Sequence, residues 1–178
     1  MVMVSTINGK ITKRDDPDIY KWTSKEDQEY FFNLLQKNKV KIMGSTTYEA
    51  IKKNLKLQKG NLRIVLTKNP SKYDSDFVAG QLEFSNELPH ALIQRLKKKG
   101  IRQVLVLGGG KINASFLKGK LVDELYLTLE PRIFGKGKSI FDEGIFEEEL
   151  TLISIKKLNK KGALFLKYRS LKYDSIEV

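Results

Sequence analysis

The sequence predicts an α/β fold with a mostly parallel central sheet and a C-terminal antiparallel hairpin. Short apolar runs rich in β-branched residues alternate with amphipathic stretches of helical period, which is typical of strand–helix–strand units around a parallel sheet. Two of the apolar runs lead directly into glycine and then into another amphipathic stretch. Only a short polar turn separates the last two apolar runs, which favours an antiparallel hairpin at one edge of the sheet.

The first half of the chain supplies three predicted strands and two predicted helices. Ser24, followed three residues later by Asp27, resembles a capping box, and Phe31 and Leu34 fall on one face of the helix that follows. The predicted strands are residues 1–6, 39–43 and 62–67, and the predicted helices are residues 24–37 and 46–55.

The second half continues the alternation. Pro89 and Gly100 delimit one helix, because proline fits the first helical position and glycine fits the position just past the end. We predict short strands within 77–85, helix 89–99, strand 101–107, a helix to about residue 117, strand 125–133, and the hairpin 151–158 with 163–170. No repeat, linker or shift in composition divides the chain, so we predict a single domain over residues 1–178. Residues 171–178 show no clear period, and we expect them to be partly disordered.

Composition excludes several kinds of site. The 178 residues include no cysteine and one histidine (His90), which rules out disulfides, thiolate catalysis, iron–sulfur clusters and cysteine-ligated zinc. We therefore expect no metal site. No apolar run approaches the roughly 20 residues that a membrane span requires. We expect a soluble, cytoplasmic protein with no membrane partner.

The net charge is strongly positive but does not by itself identify a partner. The chain carries 33 Lys plus Arg against 21 Asp plus Glu, a formal charge of +12, and 27 of the 33 basic residues are lysine. Base recognition favours the bidentate arginine fork, so this balance argues against a nucleic-acid partner. A lysine-rich surface attracts any polyanion, including a nucleotide cofactor, and it can equally be an ordinary solvated surface.

Two strand-to-helix junctions carry glycine. Gly44 opens the first junction, and Gly108, Gly109 and Gly110 form the second. A helix N-terminus presents free N–H groups and a partial positive charge, and glycine lets a phosphate approach the backbone closely. One glycine at a strand end is ordinary turn chemistry, whereas three in succession indicate a binding function. Neither junction is a Gly-x-Gly-x-x-Gly or Walker motif.

Three segments together resemble a known family. They are STINGKIT (residues 5–12), IMGSTTYEAI (residues 42–51) and VLGGGKINASFLKGKLVDELYLTLEPRIFGKGKSIF (residues 106–141). The chain resembles the dihydrofolate-reductase-like superfamily, and within it the reductase (C-terminal) domain of the bifunctional riboflavin-biosynthesis deaminase–reductase. The resemblance implies a three-layer dihydrofolate-reductase-like fold and an NADPH-dependent reductase. It also implies a homodimer paired through sheet edges.

The resemblance further implies the residues that bind NADPH. The triple glycine would hold the pyrophosphate, with a non-proline cis peptide bond between two of its members, while Thr67 and Lys68 would meet the adenosine 2′-phosphate. Trp22 would border the cofactor, although a lone tryptophan is as often part of the core. The full implied set is Trp22, Gly44, Ser45, Thr46, Thr47, Thr67, Lys68, Gly108, Gly109, Gly110, Lys111 and Ile112.

The implied substrate side is less complete. Lys10 and Glu130, the catalytic residues that the resemblance implies, correspond to family positions that face the substrate. Thr6, Asn8 and Thr128 correspond to positions that line its cleft and bind it. Asn8 stands where the family has aspartate, and Glu130 would without the resemblance be a surface carboxylate. The helix positions that match the family's phosphate clamp carry Leu35 and Gln36, so that clamp is missing.

Asp27 has two interpretations. It shares the inward face of its helix with Phe31 and Leu34, so its carboxyl could be desolvated and act as a catalytic acid. The spacing from Ser24 instead favours a helix cap, which is the preferred interpretation.

The predicted function is hydride transfer from NADPH to a ribosylamino-pyrimidine or related small molecule, as in 5-amino-6-(5-phosphoribosylamino)uracil reductase. Without cysteine no zinc-deaminase signature exists, so we expect a stand-alone reductase domain. The alternative within the class is a dihydrofolate or pteridine reductase using Asp27. The alternative from another class is a non-enzymatic polyanion-binding protein on the same fold.

Overall fold

A computed structural model describes residues 1–171 of the chain, so the expectation for the tail falls almost wholly outside the described residues. The described strands are β1 (Val2–Thr6), β2 (Val40–Gly44), β3 (Leu62–Leu66), β4 (Leu82–Ser85), β5 (Leu105–Val106), β6 (Glu124–Glu130), β7 (Leu150–Lys157) and β8 (Leu164–Ser170). The described α-helices are α1 (Lys25–Lys37), α2 (Ser45–Ile51), α3 (Pro89–Lys98) and α4 (Gly110–Lys118), and 3₁₀ turns cover Ile19–Lys21, Lys52–Asn54 and Pro70–Asp76. This mixture confirms the predicted α/β class.

The strands form two hydrogen-bonded sheets of four. The first has the order β4-β3-β2-β5 and is parallel throughout. The second has the order β1-β6-β8-β7, in which β1 and β6 are parallel while β8 is antiparallel to both β6 and β7. Most strand pairs are therefore parallel, and the C-terminal hairpin lies at one edge, as predicted. In the described residues no ladder joins the two sheets, because the short β5 pairs with β2 alone.

Both faces of the first sheet are covered. On one face, Ile42 and Ile64 pack in a cluster with Leu92 and Leu96 of α3 and Phe116 of α4. On the other face, a smaller cluster joins the alternate strand residues to α2 and the 3₁₀ turn, and it consists of Met43, Tyr48, Val65, Tyr73 and Leu82. Alternation along β2 and β3 thus places apolar side chains on both faces, as expected of a parallel sheet between helices.

Several boundaries differ from the sequence prediction. The predicted strand 101–107 is reduced to Leu105–Val106, because Ile101 N still bonds to Leu96 O at the end of α3 and Arg102 is exposed. The predicted helix 46–55 begins one residue early and tightens into a 3₁₀ turn after Ile51. Strand β6 ends at Glu130 because the next residue, Pro131, has no N–H to donate to a ladder.

Candidate active site

One large cleft opens beside the carboxyl ends of the parallel strands. The residues that follow β2, β3 and β5 all line it, among them Thr67 and Leu107. Asp27 of α1 and Thr128 of β6 line the same cleft, so it extends from the first sheet to the second. In open parallel sheets, ligands bind outside the carboxyl ends of the strands.

Two helices begin at this cleft with free N–H groups. Gly44 is the N-cap of α2 and Gly109 is the N-cap of α4, and neither makes a side-chain capping bond. Gly44 N donates to Gly108 O at 2.8 Å, which joins the two junctions. The Gly108–Gly109 peptide bond is cis, which confirms that expectation, and Gly108 has φ +88°. The uncapped amides suit an anionic ligand.

The backbone around the triple glycine is tightly enclosed by neighbouring groups. A Cβ atom on Gly110 would lie 2.6 Å from Ser139 O and would also overlap the Asp142 carboxylate. A Cβ atom on Gly44 would lie 2.9 Å from Ile112 Cγ1. Glycine is therefore required for packing at these two positions.

Asn113 lies beneath the triple glycine as a buried polar residue. Its Nδ2 donates to Ile140 O at 2.8 Å, while its buried Oδ1 has no protein partner. Asn113 also lines the cleft. The spare acceptor and the free amides fit a polar group such as a dinucleotide. The sequence signal for Asn113 is a polar residue on the apolar face of a predicted helix.

The structure brings almost all of the implied cofactor residues together. Trp22 is the exception, because it is 3% exposed, packs edge-on against Phe134 with ring centroids 5.3 Å apart, and does not line the cleft. Of its two interpretations, membership of the core is therefore the correct one. The implied cofactor residues that line the cleft are Gly44, Ser45, Thr46, Thr47, Thr67, Lys68, Gly108, Gly109, Gly110, Lys111 and Ile112.

Asp27 presents a buried carboxyl to the cleft. Only 6% of the residue is exposed. Burial raises the pKa of Asp27 to about 6, with a further rise from the neighbouring Glu130 carboxylate and an opposing effect from a hydrogen bond with Thr128. A carboxyl with this pKa exchanges a proton near neutral pH, which is a requirement for a general acid.

A different carboxylate caps α1. Ser24 Oγ accepts a bond from Asp27 N at 3.4 Å, which is half of the predicted capping box. The other half is made by Glu130, whose Oε1 accepts from Ser24 N at 2.7 Å and from Ser24 Oγ at 2.6 Å. The capping interpretation is therefore wrong for the Asp27 carboxyl. Glu130 is 4% exposed, so it is not a surface carboxylate, and its bonds to Ser24 position the start of α1. It is not among the residues that line the cleft, and its expected catalytic role stays a prediction.

The segment around Asn8 uses its polar atoms to hold a loop. Thr6 Oγ1 donates to Asn8 Oδ1 at 2.8 Å and accepts from Lys10 N at 2.9 Å. Asn8 Nδ2 donates to Phe134 O at 2.8 Å, and Lys10 Nζ donates to Ser139 Oγ at 3.3 Å. None of these three predicted substrate residues lines the cleft, whereas Thr128 does. These bonds engage the polar atoms of Thr6, Asn8 and Lys10 in the loop, and their expected substrate-contacting roles stay predictions.

Sequence reasoning missed two basic residues of the cleft. Lys41 of β2 and Arg63 of β3 both line it, and they are direct partners in the parallel register. Each interrupts an apolar strand run, and that interruption was the available signal. A charged residue inside a run of buried-strand character requires a specific partner or a ligand.

The fold and cleft define a class of protein, an α/β domain with a large cleft at the carboxyl ends of its parallel strands. The chain matches the RibD C-terminal domain over residues 1–164. It therefore belongs to the RibD C-terminal domain family and is a RibD-type reductase domain.

Individual relatives are similar to the chain in sequence or in fold. The uncharacterized protein YwjB of Bacillus subtilis (strain 168) is 28% identical over 121 residues, which is 67% of each chain. A pyrimidine reductase-like protein of Corynebacterium diphtheriae superposes with a TM-score of 0.79 at 15% identity, covering 96% of this chain and 90% of that one. At such identity the superposition shows the fold alone.

A longer protein contains the same fold. The diaminohydroxyphosphoribosylaminopyrimidine deaminase/5-amino-6-(5-phosphoribosylamino)uracil reductase of Thermotoga maritima superposes with a TM-score of 0.70 at 17% identity. The alignment covers 95% of this chain and 55% of that one. Within residues 1–171, no helix is long and apolar enough to cross a membrane.

Proposed function

We propose that this domain is an NADPH-dependent reductase of a ribosylamino-pyrimidine or a closely related substrate. The observation that carries the proposal is the meeting of two uncapped helix N-termini, at Gly44 and Gly109, in the cleft that also holds the buried Asp27 carboxyl. The amides would bind the pyrophosphate, and the exposed Lys68, beside Thr67, would meet the 2′-phosphate.

The residues of the chain would bind the cofactor, orient the substrate and supply a proton. When bound, NADPH supplies a hydride. The glycine junctions would fix the cofactor against the sheet, and the walls of the cleft would align the substrate carbon that accepts the hydride. Reduction of a C=N bond also needs one proton on nitrogen, and the Asp27 carboxyl, with its pKa of about 6, can hold that proton.

A titration with NADPH and NADH tests the cofactor assignment. We expect micromolar NADPH binding, seen as a change in nicotinamide fluorescence, and much weaker NADH binding. Lys68→Met should weaken NADPH binding roughly tenfold and leave NADH binding unchanged, because a charge-assisted bond to phosphate is worth about 1.5–3 kcal/mol. The exposed Lys97→Met is the matched control.

Failure of both cofactors to bind at low salt would contradict the reductase proposal. A steep salt dependence of RNA or DNA binding would then favour the polyanion-binding alternative.

A second candidate reaction is reduction of dihydrofolate or another pteridine. The buried Asp27 carboxyl favours it, because such a ring needs a proton donor beside the hydride acceptor. Turnover of dihydrofolate by the wild type would support this candidate, and its loss in Asp27→Asn with NADPH affinity unchanged would assign the proton to Asp27. Because the ribosylamino reaction would use the same proton donor, the substrate that is turned over distinguishes the two candidates.

We also propose that two copies of the chain pair through β7. This edge strand is exposed from Thr151 to Lys157, and Leu152, Ile153 and Ile155 present apolar side chains there. An unpaired edge that also carries apolar side chains offers both backbone hydrogen bonds and apolar contact area to a second copy.

A further inference from the structure

Two basic side chains face each other on the floor of the cleft. Lys41 of β2 pairs with Arg63 of β3 in the parallel register, and adjacent parallel strands lie about 4.8 Å apart. Their neighbours Ile42 and Ile64 belong to the core on the opposite face. Strand alternation therefore directs both basic side chains to the other side of the sheet, the side on which α2 packs, and both residues line the cleft.

Neither cation has a carboxylate partner among residues 1–171. Lys41 is 2% exposed, and its Nζ donates one bond, to Asn61 Oδ1 at 2.6 Å. Asn61 is in turn held by a 3.3 Å bond from its Nδ2 to Gln58 Oε1. One guanidinium nitrogen of Arg63 is buried and has no partner. An ammonium has three donors, so the pair leaves several donors without an acceptor.

Arg95, another partly buried arginine of this chain, is neutralised by carboxylates. Arg95 NH2 lies 2.8 Å from Glu87, and the same guanidinium also pairs with Glu83. At Lys41 the one charge that shifts the pKa is instead of the same sign, that of Arg63. Burial lowers the pKa of Lys41 to about 8, and the Arg63 charge lowers it further; burial also lowers the pKa of Arg63. A buried cation beside a half-buried cation is costly unless an anion joins them.

The two cations lie within the length of a small molecule from the glycine junctions. Lys41 precedes Gly44 by three residues on the same strand, which corresponds to about 10 Å at the rise of a β-strand. Leu35 and Gln36 of α1 also line the cleft and bring no charge. A small molecule whose ring lies near the glycine junctions could therefore place an anionic group beside the two cations.

We propose that Lys41 and Arg63 form a binding site for the oxyanion group of the substrate, a phosphate monoester or a carboxylate. Asn61 fixes the Lys41 ammonium, and the free donors of both side chains bind the oxyanion. This proposal rests on the proposed function in one respect, because it takes the molecule that carries the anion to be the substrate of the reductase.

Calorimetric titration with ribose 5-phosphate tests the site without turnover. We expect Lys41→Met and Arg63→Met each to weaken binding roughly tenfold or more, because a buried charge-assisted contact is lost. The matched control is Lys39→Met, at an exposed lysine just before β2, and it should change the affinity less than about twofold. Methionine keeps the length of the side chain and removes a costly buried charge, so the variants should fold, and thermal unfolding verifies this.

The choice of ligands identifies the source of the anion. Stronger binding of ribose 5-phosphate than of p-aminobenzoylglutamate supports a phosphate monoester, and the reverse supports a carboxylate. Uncharged ribose should not bind measurably. Equal ribose 5-phosphate binding by wild type, Lys41→Met and Arg63→Met would overturn the proposal, since the anion would then occupy another place, such as the glycine junctions.

NADPH titrations of the same variants separate this site from the cofactor site. Unchanged NADPH affinity with lost ribose 5-phosphate affinity supports the proposal. Loss of both affinities in folded Lys41→Met protein would overturn it, because the cations would then serve the cofactor. A third result is that neither the wild type nor the variants bind NADPH, while Lys41→Met and Arg63→Met still weaken ribose 5-phosphate binding. That result would support the anion site and contradict the reductase proposal.

Discussion

Ionisation of Asp27 should have the clearest effect on the free energy of unfolding. Burial holds its pKa at about 6 against an ordinary value of 3.8. Between these pH values the folded protein keeps a proton that the unfolded chain has released, so the free energy of unfolding falls as pH rises. We expect Asp27→Asn to gain stability over wild type through this window, by up to about 3 kcal/mol at pH 7 relative to pH 4. Urea unfolding across this range measures the difference.

Asp16 provides a control of opposite sign. A hydrogen bond from Lys21 lowers the pKa of this exposed carboxyl. Asp16→Asn should therefore be less stable than wild type at neutral pH and should approach it as the pH falls. Parallel curves for the two variants would show that the Asp27 carboxyl is not desolvated.

Residue roles were predictable only where they depend on nearby sequence. Ser24 was identifiable as a cap because the spacing of the capping box is local. The carboxylate that completes the cap, on Glu130, lies 106 residues away, and no local pattern indicates that pairing. Lys41 was missed for a similar reason, because its burial is decided by Arg63 and Asn61 on a neighbouring strand and loop.

At the scale of the element, the β5–α4 junction depends on glycine at position 110. Alanine favours a helix over glycine, so Gly110→Ala should be stabilising if only helix propensity mattered. The new Cβ would instead lie 2.6 Å from Ser139 O. We expect a loss of about 1–3 kcal/mol in the free energy of unfolding, measured in urea, together with weaker NADPH binding.

Gly135→Ala serves as the control for this junction. A Cβ atom at Gly135 meets nothing within 4 Å. This variant should keep both the stability and the NADPH affinity of the wild type. Wild-type behaviour of Gly110→Ala would mean that the junction opens readily and does not enclose the backbone.

Elements were well predicted where apolar periodicity decides burial. The predictions for β2, β3, α1 and α3 match the structure to within a residue or two at each end. The strand predicted over 101–107 was too long, because its first residues still belong to the end of α3 through the Ile101–Leu96 bond. The 3₁₀ turn over Pro70–Asp76 was missed, since its buried Tyr73 stacks on Phe84, a contact invisible to a local pattern.

At the scale of the whole molecule, the exposed outer strand of the second sheet, β7, predicts that two copies of the chain form a dimer. Ile155 is 58% exposed on β7, and Ile153 is 41% exposed. We expect the wild type to sediment as a dimer and Ile155→Lys to sediment as a monomer, because a charge would be buried in an apolar interface. The control is Ile145→Lys, at a residue that is 95% exposed and lies outside the strand. A monomeric wild type at micromolar concentration would contradict the pairing through β7.

The bonds between Ser24 and Glu130 also constrain when the buried Asp27 carboxyl can form during folding. The start of α1 is held by a strand made more than a hundred residues later, and Thr128, the hydrogen-bond partner of Asp27, lies on that same strand. Such long sequence separation makes these contacts late events in folding. During synthesis, the N-terminal portion would emerge with Asp27 still hydrated and ordinary in its acidity. The raised pKa of Asp27 thus arises only when folding is complete. A nascent chain in which β6 has not yet been synthesised lacks it.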